Sequence, residues 1–132
     1  MSANENLASA KRFLKTLEEF DIEALKSLFT EDAEQSELPN QLKAQGDHRK
    51  IDQLAADFER SRHILRKQRY QITNELASDD RVMLEFVWEG ELAIAIGKLS
   101  PGDIMRSHSV VCMDFKGGLI HRQRNYDCFE AF

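Results

Sequence analysis

Cysteine is scarce in this chain of 132 residues: only Cys112 and Cys128 occur, with no paired spacing. A disulfide scaffold and the usual cysteine metal sets are therefore excluded. The pair suits a reducing, cytoplasmic setting in which thiols pack as small hydrophobes. Positive charge is also short. A net charge of -5 argues against nucleic acid or an anionic membrane as the main partner, because both reward clustered cations. No apolar run approaches the roughly 20 residues that cross a bilayer, and the opening Met1-Ser2-Ala3-Asn4-Glu5 lacks the basic and apolar segments of a secretory signal. Proline is nearly absent, and no Gly/Ser tract, repeat or low-complexity segment marks a linker. Residues 1–132 read as a single domain. The histidines, His48, His63, His108 and His121, lack metal-ligand spacing. Neither a metal site nor a cofactor motif is expected.

What the chain does have is a hydrophobic share of 42%, enough for one core, in two kinds of pattern. Leu7, Ala10, Phe13, Leu14 and Leu17 recur at helical spacing and predict a helix over residues 4–19. Asp21 reads as the N-cap of a short second helix burying Ile22, Leu25, Leu28 and Phe29. After an irregular or short extended stretch ending at Pro39-Asn40, a third helix is expected from about residue 47 to 66. The rest reads as strands: 70–76, 81–96 with a bend at Gly90, then 104–115 and 119–129 as a hairpin around Lys116-Gly117-Gly118. Helices first and antiparallel strands last predict an α+β fold with the helices on one face of a curved sheet. Both faces of the 81–96 strand carry apolar residues: Leu84, Phe86 and Trp88 on one, Met83 and Val87 on the other. A sheet with one wet face alternates more cleanly, so a second subunit is the expected cover.

Pairing Phe115 with Leu119 across the turn sets Val111 opposite Gln123, Ser109 opposite Asn125 and Ser107 opposite Asp127. On the other face Cys112 meets Arg122, Val110 meets Arg124 and His108 meets Tyr126. The first row grades from apolar (Met113, Val111) to polar (Ser109, Ser107), matched by Gln123, Asn125 and Asp127. Such a row either faces solvent or lines a cavity holding water or ligand, because buried polar groups need partners. The basic residues Arg60, Arg62, Arg66, Lys67 and Arg69 sit at a helix C-terminus and complement its dipole.

Five stretches in order carry a resemblance: Phe20-Asp21-Ile22-Glu23-Ala24-Leu25, Leu28-Phe29-Thr30-Glu31-Asp32-Ala33, Gly46, Gly118-Leu119-Ile120 and Arg124-Asn125-Tyr126-Asp127. With them the chain resembles the nuclear transport factor 2-like superfamily, in particular its SnoaL-like and ketosteroid isomerase-like members. The resemblance implies a cone-shaped fold with about three N-terminal helices packed in a strongly curved, mostly antiparallel sheet. It also implies an internal pocket and homodimers packed through the outer sheet face. The family chemistries fit poorly. The steroid isomerase donor positions fall on Phe13 and Val111, which cannot donate. The epoxide hydrolase set falls on Phe86, Trp88 and Asn125, none ionisable. Asn125 also stands where polyketide cyclases carry an acid, and an amide transfers no proton at neutral pH.

These readings give a pocket for a small apolar or aromatic metabolite. Phe13, Phe86, Trp88, Val111 and Met113 are its expected walls, and Asn125, Gln123 and Asp127, with Ser109 beside them, orient the ligand. Glu37, in Ser36-Glu37-Leu38-Pro39, is the candidate proton acceptor of an isomerase-, cyclase- or lyase-type reaction, and Asp127 is a second candidate. The alternative is a non-catalytic binding or dimerisation module of the same fold.

Overall fold

The computed structural model describes residues 2–132. Its first helix, α1 (Ala3–Glu18), starts where Ser2 Oγ accepts from the Glu5 N–H at 3.1 Å, and it buries Ala10, Phe13 and Leu14. Phe20 then takes φ 52°, a left-handed turn that lets Asp21 cap α2 (Ile22–Ser27) through the Ala24 N–H. The next stretch, expected to be irregular or only briefly extended, is the nine-residue strand β1 (Phe29–Glu37).

The expected third helix is shorter at both ends. Asp47–Lys50 forms an edge strand, β2, whose backbone pairs with residues 34–37 of β1. Only Ile51–Ser61 is helical, as α3, with Leu54 and Phe58 inward. The polar tetrad Asp47-His48-Arg49-Lys50 has no hydrophobic period of its own, so only the β1 ladder decides its conformation. Leu65 already belongs to β3 (Leu65–Ala77), followed by β4 (Arg81–Leu92), β5 (Ile104–Lys116) and β6 (Leu119–Phe129).

The six strands run in the order β2-β1-β6-β5-β4-β3, antiparallel throughout except for the parallel β1–β6 pair. The architecture is α+β. One sheet face carries Val82, Leu84, Phe86, Val111, Met113 and Ile120, which form a core with Phe13, Leu14, Leu25 and Phe58 of the helices. The opposite face leaves Met83 and Tyr126 exposed.

The hairpin register differs from expectation by two residues. Gly117 and Gly118, at φ 59° and 81°, make a two-residue turn, so Lys116 rather than Phe115 pairs with Leu119. Both positive φ values suit glycine and match the turn to strand twist. A bulge between Asp114 and Phe115 adds the second residue of shift. Asn125 therefore faces Val111, Asp127 faces Ser109 and Tyr126 faces Val110. A shift of two preserves parity: Gln123, Asn125 and Asp127 still share the helix-facing side.

Candidate functional site

Between the helices and the inner sheet face lies a cavity with two adjoining lobes of about 260 and 230 Å³. Glu37, Ser61, Leu65, Gln68, Tyr70 and Asn125 belong to both walls. The first lobe is aromatic. Tyr70 meets Phe86 edge to face at 5.3 Å, and Trp88 meets Phe129 at 6.2 Å. The indole is fixed by Gln68, whose Oε1 accepts from Trp88 Nε1 at 2.9 Å while its Nε2 donates to the Leu17 carbonyl at 2.8 Å. Gly90 makes room: a Cβ there would lie 2.5 Å from the Trp88 ring.

Two carboxylates enter this apolar space from adjacent parts of the sheet, in opposite electrostatic settings. Glu37, at the end of β1, receives Arg49 Nη2 on Oε1 at 2.6 Å, with the Lys43 ammonium at 3.9 Å. Its Oε2 accepts a longer bond, 3.3 Å, from Asn40. Arg49 also reaches Asp57 of α3 at 2.8 Å, so a buried guanidinium ties β2, β1 and α3 together. The loop leading to it bends at Gly46, φ 68°, where a Cβ would fall 2.4 Å from the Glu37 carbonyl. Among the described residues, no cation lies within salt-bridge reach of Asp127 of β6. Its one side-chain partner is the Ser109 hydroxyl, which donates at 2.6 Å. Burial raises its carboxyl above the ordinary range; the Ser109 bond pulls it back, and the charge of Glu37 pushes it up again. The Tyr70 phenol is likewise held well above its usual value, by burial first and then by Asp127 and Glu18. It stays a hydrogen-bond donor.

The expected site residues divide. Glu37, Phe86, Trp88, Asn125 and Asp127 all lie on the first lobe, and Phe13 lies on the second. Val111 and Met113 do not line it; both are fully buried in the core. Ser109 sits behind Asp127, and Gln123 sits behind Asn125, donating to its Oδ1 at 2.9 Å. The physical reason is that Val111 and Met113 pack into the core with Phe13, Leu14 and Leu25, while the first lobe is lined at Ser107, Asp127 and Phe129. Sequence reasoning missed Arg49, Asp57, Tyr70, Gln68 and Phe129. Tyr70 and Gln68 share the inward parity of Ile72, a usable signal; nothing local marks Arg49 as buried.

This geometry can hold a flat apolar molecule, donate to an oxygen on it from Tyr70, and present two carboxyl groups, one salt-bridged and one raised by burial. A SnoaL-like domain model matches residues 10–123, and the chain belongs to that family. The fold is nuclear transport factor 2-like, also called ketosteroid isomerase-like. AclR from Streptomyces galilaeus, a proposed hydroxylase, superposes with a TM-score of 0.78 at 13% identity, over 96% of this chain and 76% of its own. IdmH from Streptomyces antibioticus, a proposed polyketide cyclase, gives 0.77 at 14% identity over 92% and 91%. A Catenulispora acidiphila protein in complex with trimethylamine gives 0.72 at 18% identity over 89% and 83%. No curated protein matches the sequence. No helix among the described residues is long and apolar enough to cross a membrane.

Proposed function

We propose that this domain binds a small, largely apolar or aromatic carbonyl compound in the two-lobed cavity and moves a proton on it, in an isomerase- or cyclase-type reaction. One observation carries the reading: Asp127 lies cation-free in an aromatic lobe, its carboxyl raised by burial, while the neighbouring Glu37 is matched by Arg49. Two carboxyls in contrasting environments divide acid and base roles. Glu37 Oε2 accepts a proton from the carbon beside the carbonyl. The Tyr70 hydroxyl donates a hydrogen bond to the oxygen on which charge develops, and Asp127, its carboxyl raised by burial, is the second group that exchanges a proton with the ligand. Asn125 orients the same oxygen without transferring a proton. The fold's use for small-molecule capture in the trimethylamine complex supports the binding half.

A second reading is favoured by the engagement of both Glu37 oxygens, namely a binding module without turnover. Deuterium exchange of the α-protons of 2-tetralone, followed by proton NMR in heavy water, separates the two. The proton-transfer reading expects exchange above the buffer rate, falling about 100-fold or more in Asp127→Asn and Glu37→Gln. Equal exchange in all three proteins and in buffer leaves only the module.

The same reading includes a homodimer. Met83, Val87, Val110 and Tyr126 give the outer sheet face an apolar strip, partly or fully exposed in one chain. Sedimentation at micromolar concentration should show a dimer; monomer alone would remove this part.

A further inference from the structure

Three neighbouring strands place one residue each in a transverse row on the inner face. Gln35 of β1 is the register partner of Arg49 on β2 and of Gln123 on β6. All three are more than nine-tenths buried, at 8% exposure for Arg49, 7% for Gln35 and 1% for Gln123. Each keeps one buried polar atom without a hydrogen-bond partner: Arg49 Nε, Gln35 Oε1 and Gln123 Oε1. Buried side-chain polar atoms are normally satisfied, and rotating either amide by half a turn exchanges an orphaned acceptor for an orphaned donor. Among the described residues the only other such atom is Asn6 Oδ1, on α1 outside this row.

Arg49 and Gln35 both line the second lobe, beside Glu37, Asp57 and Asn125. The charge there is already matched. Arg49 is shared by Glu37 and Asp57, with Lys43 beside the first and Arg60 beside the second, so an anion entering the lobe meets two carboxylates and a cation meets the guanidinium. What is unmatched is one N–H and adjacent acceptors. We propose that the second lobe is a subsite for an uncharged end group carrying both a donor and an acceptor, such as a primary carboxamide. Its carbonyl oxygen takes the Arg49 Nε proton, and its N–H goes to Gln35 Oε1. Gln123 backs the site: by donating to Asn125 Oδ1 it leaves the Asn125 amide N–H groups for the ligand. The apolar body of the same molecule lies in the aromatic lobe. The subsite rests on the cavity's taking a small molecule and is independent of proton transfer.

The only tryptophan, Trp88, lies on the aromatic lobe, so its fluorescence reports occupancy. Titrations with 4-propylbenzamide, 4-propylbenzoate and propylbenzene at pH 7.5 test the proposal. The amide is expected to bind at least about tenfold more tightly than either of the others, corresponding to one bond's selectivity. Gln35→Met, of similar shape but without the acceptor, should remove that advantage, and Gln123→Met should reduce it. Circular dichroism checks that each variant folds, and either one suffices for the comparison. Equal affinity for amide and hydrocarbon, preference for the benzoate, or an undiminished advantage in the folded variants would each overturn the subsite, the orphaned atoms then being hydrated only. If no probe perturbs Trp88, the small-molecule cavity fails and the subsite with it. Loss of tetralone exchange alone leaves the subsite standing.

Discussion

The two faces of the β5–β6 hairpin use charge in opposite ways. On the outer face, Asp114 takes Arg81 at 2.8 Å and Arg124 at 3.1 Å, while Arg106 bridges Glu89 at 2.6 Å and Glu130 at 3.2 Å. Arg106 holds Glu89 below the ordinary carboxylate range, and a bond with His108, then one from Arg106, do the same for Glu130. Partial burial pulls Asp114 upward, but the hydrogen bonds from Arg124 and Arg81 outweigh it. On the inner face, Asp127 is raised and cation-free, and Gln35, Gln123 and Arg49 keep orphaned atoms. The outer face completes its own interactions. The inner face leaves partners to be supplied, which is the physical signature of a binding site rather than of a finished core.

The largest expected effect comes from removing the cation that each face depends on. Arg49→Met removes the shared partner of Glu37 and Asp57, leaving only Lys43 beside the first and Arg60 beside the second. It should cost about 2–3 kcal/mol in urea denaturation, less than the full loss on breaking a wholly buried pair because both carboxylates keep a second cation. Arg124→Met on the more exposed face should cost about 0–1 kcal/mol, because solvent screens that network. Similar losses in the two proteins would erase the contrast.

A smaller effect of opposite sign is expected from Asp127→Asn. At about pH 4 the Asp127 carboxyl is about half protonated in the unfolded chain and more so in the folded one, where burial raises it. As pH rises through the raised folded value, the native state keeps a proton that the unfolded chain has lost, so stability falls. Asparagine has no such proton and still accepts from Ser109. The variant's advantage over the parent should grow by a few degrees between about pH 4 and about pH 8, up to on the order of 1 kcal/mol. An unchanged difference across that range would place Asp127 in an ordinary solvated setting.

The periodic elements are legible in the sequence alone. Helical spacing marked α1, Asp21 marked the start of α2, and alternation marked the inward parity of Gln123, Asn125 and Asp127. Parity survived the two-residue register error because the side-chain period of a strand is also two. The bulge at Asp114/Phe115 and the edge pairing of β2 depend on neighbours distant in sequence and left no local trace. For the same reason Glu37 could be singled out while Arg49, which determines its charge environment, could not. Val111 and Met113 looked like walls because parity identifies a face but not the depth at which helices cover it.

The parallel pairing of β1 with β6 also carries a kinetic consequence. It sets Glu37 beside Asn125, with the Leu38 N–H donating to the Asn125 carbonyl at 2.9 Å. The two walls of the cavity thus come from opposite ends of the sequence, and this closure spends loop entropy before it gains contacts. During synthesis α1, α2 and β1 emerge long before β6 exists to receive them. Until then the inner polar row stays open to water, so the cavity is among the late features of folding, and a stalled or nicked chain would expose that edge of β1 first.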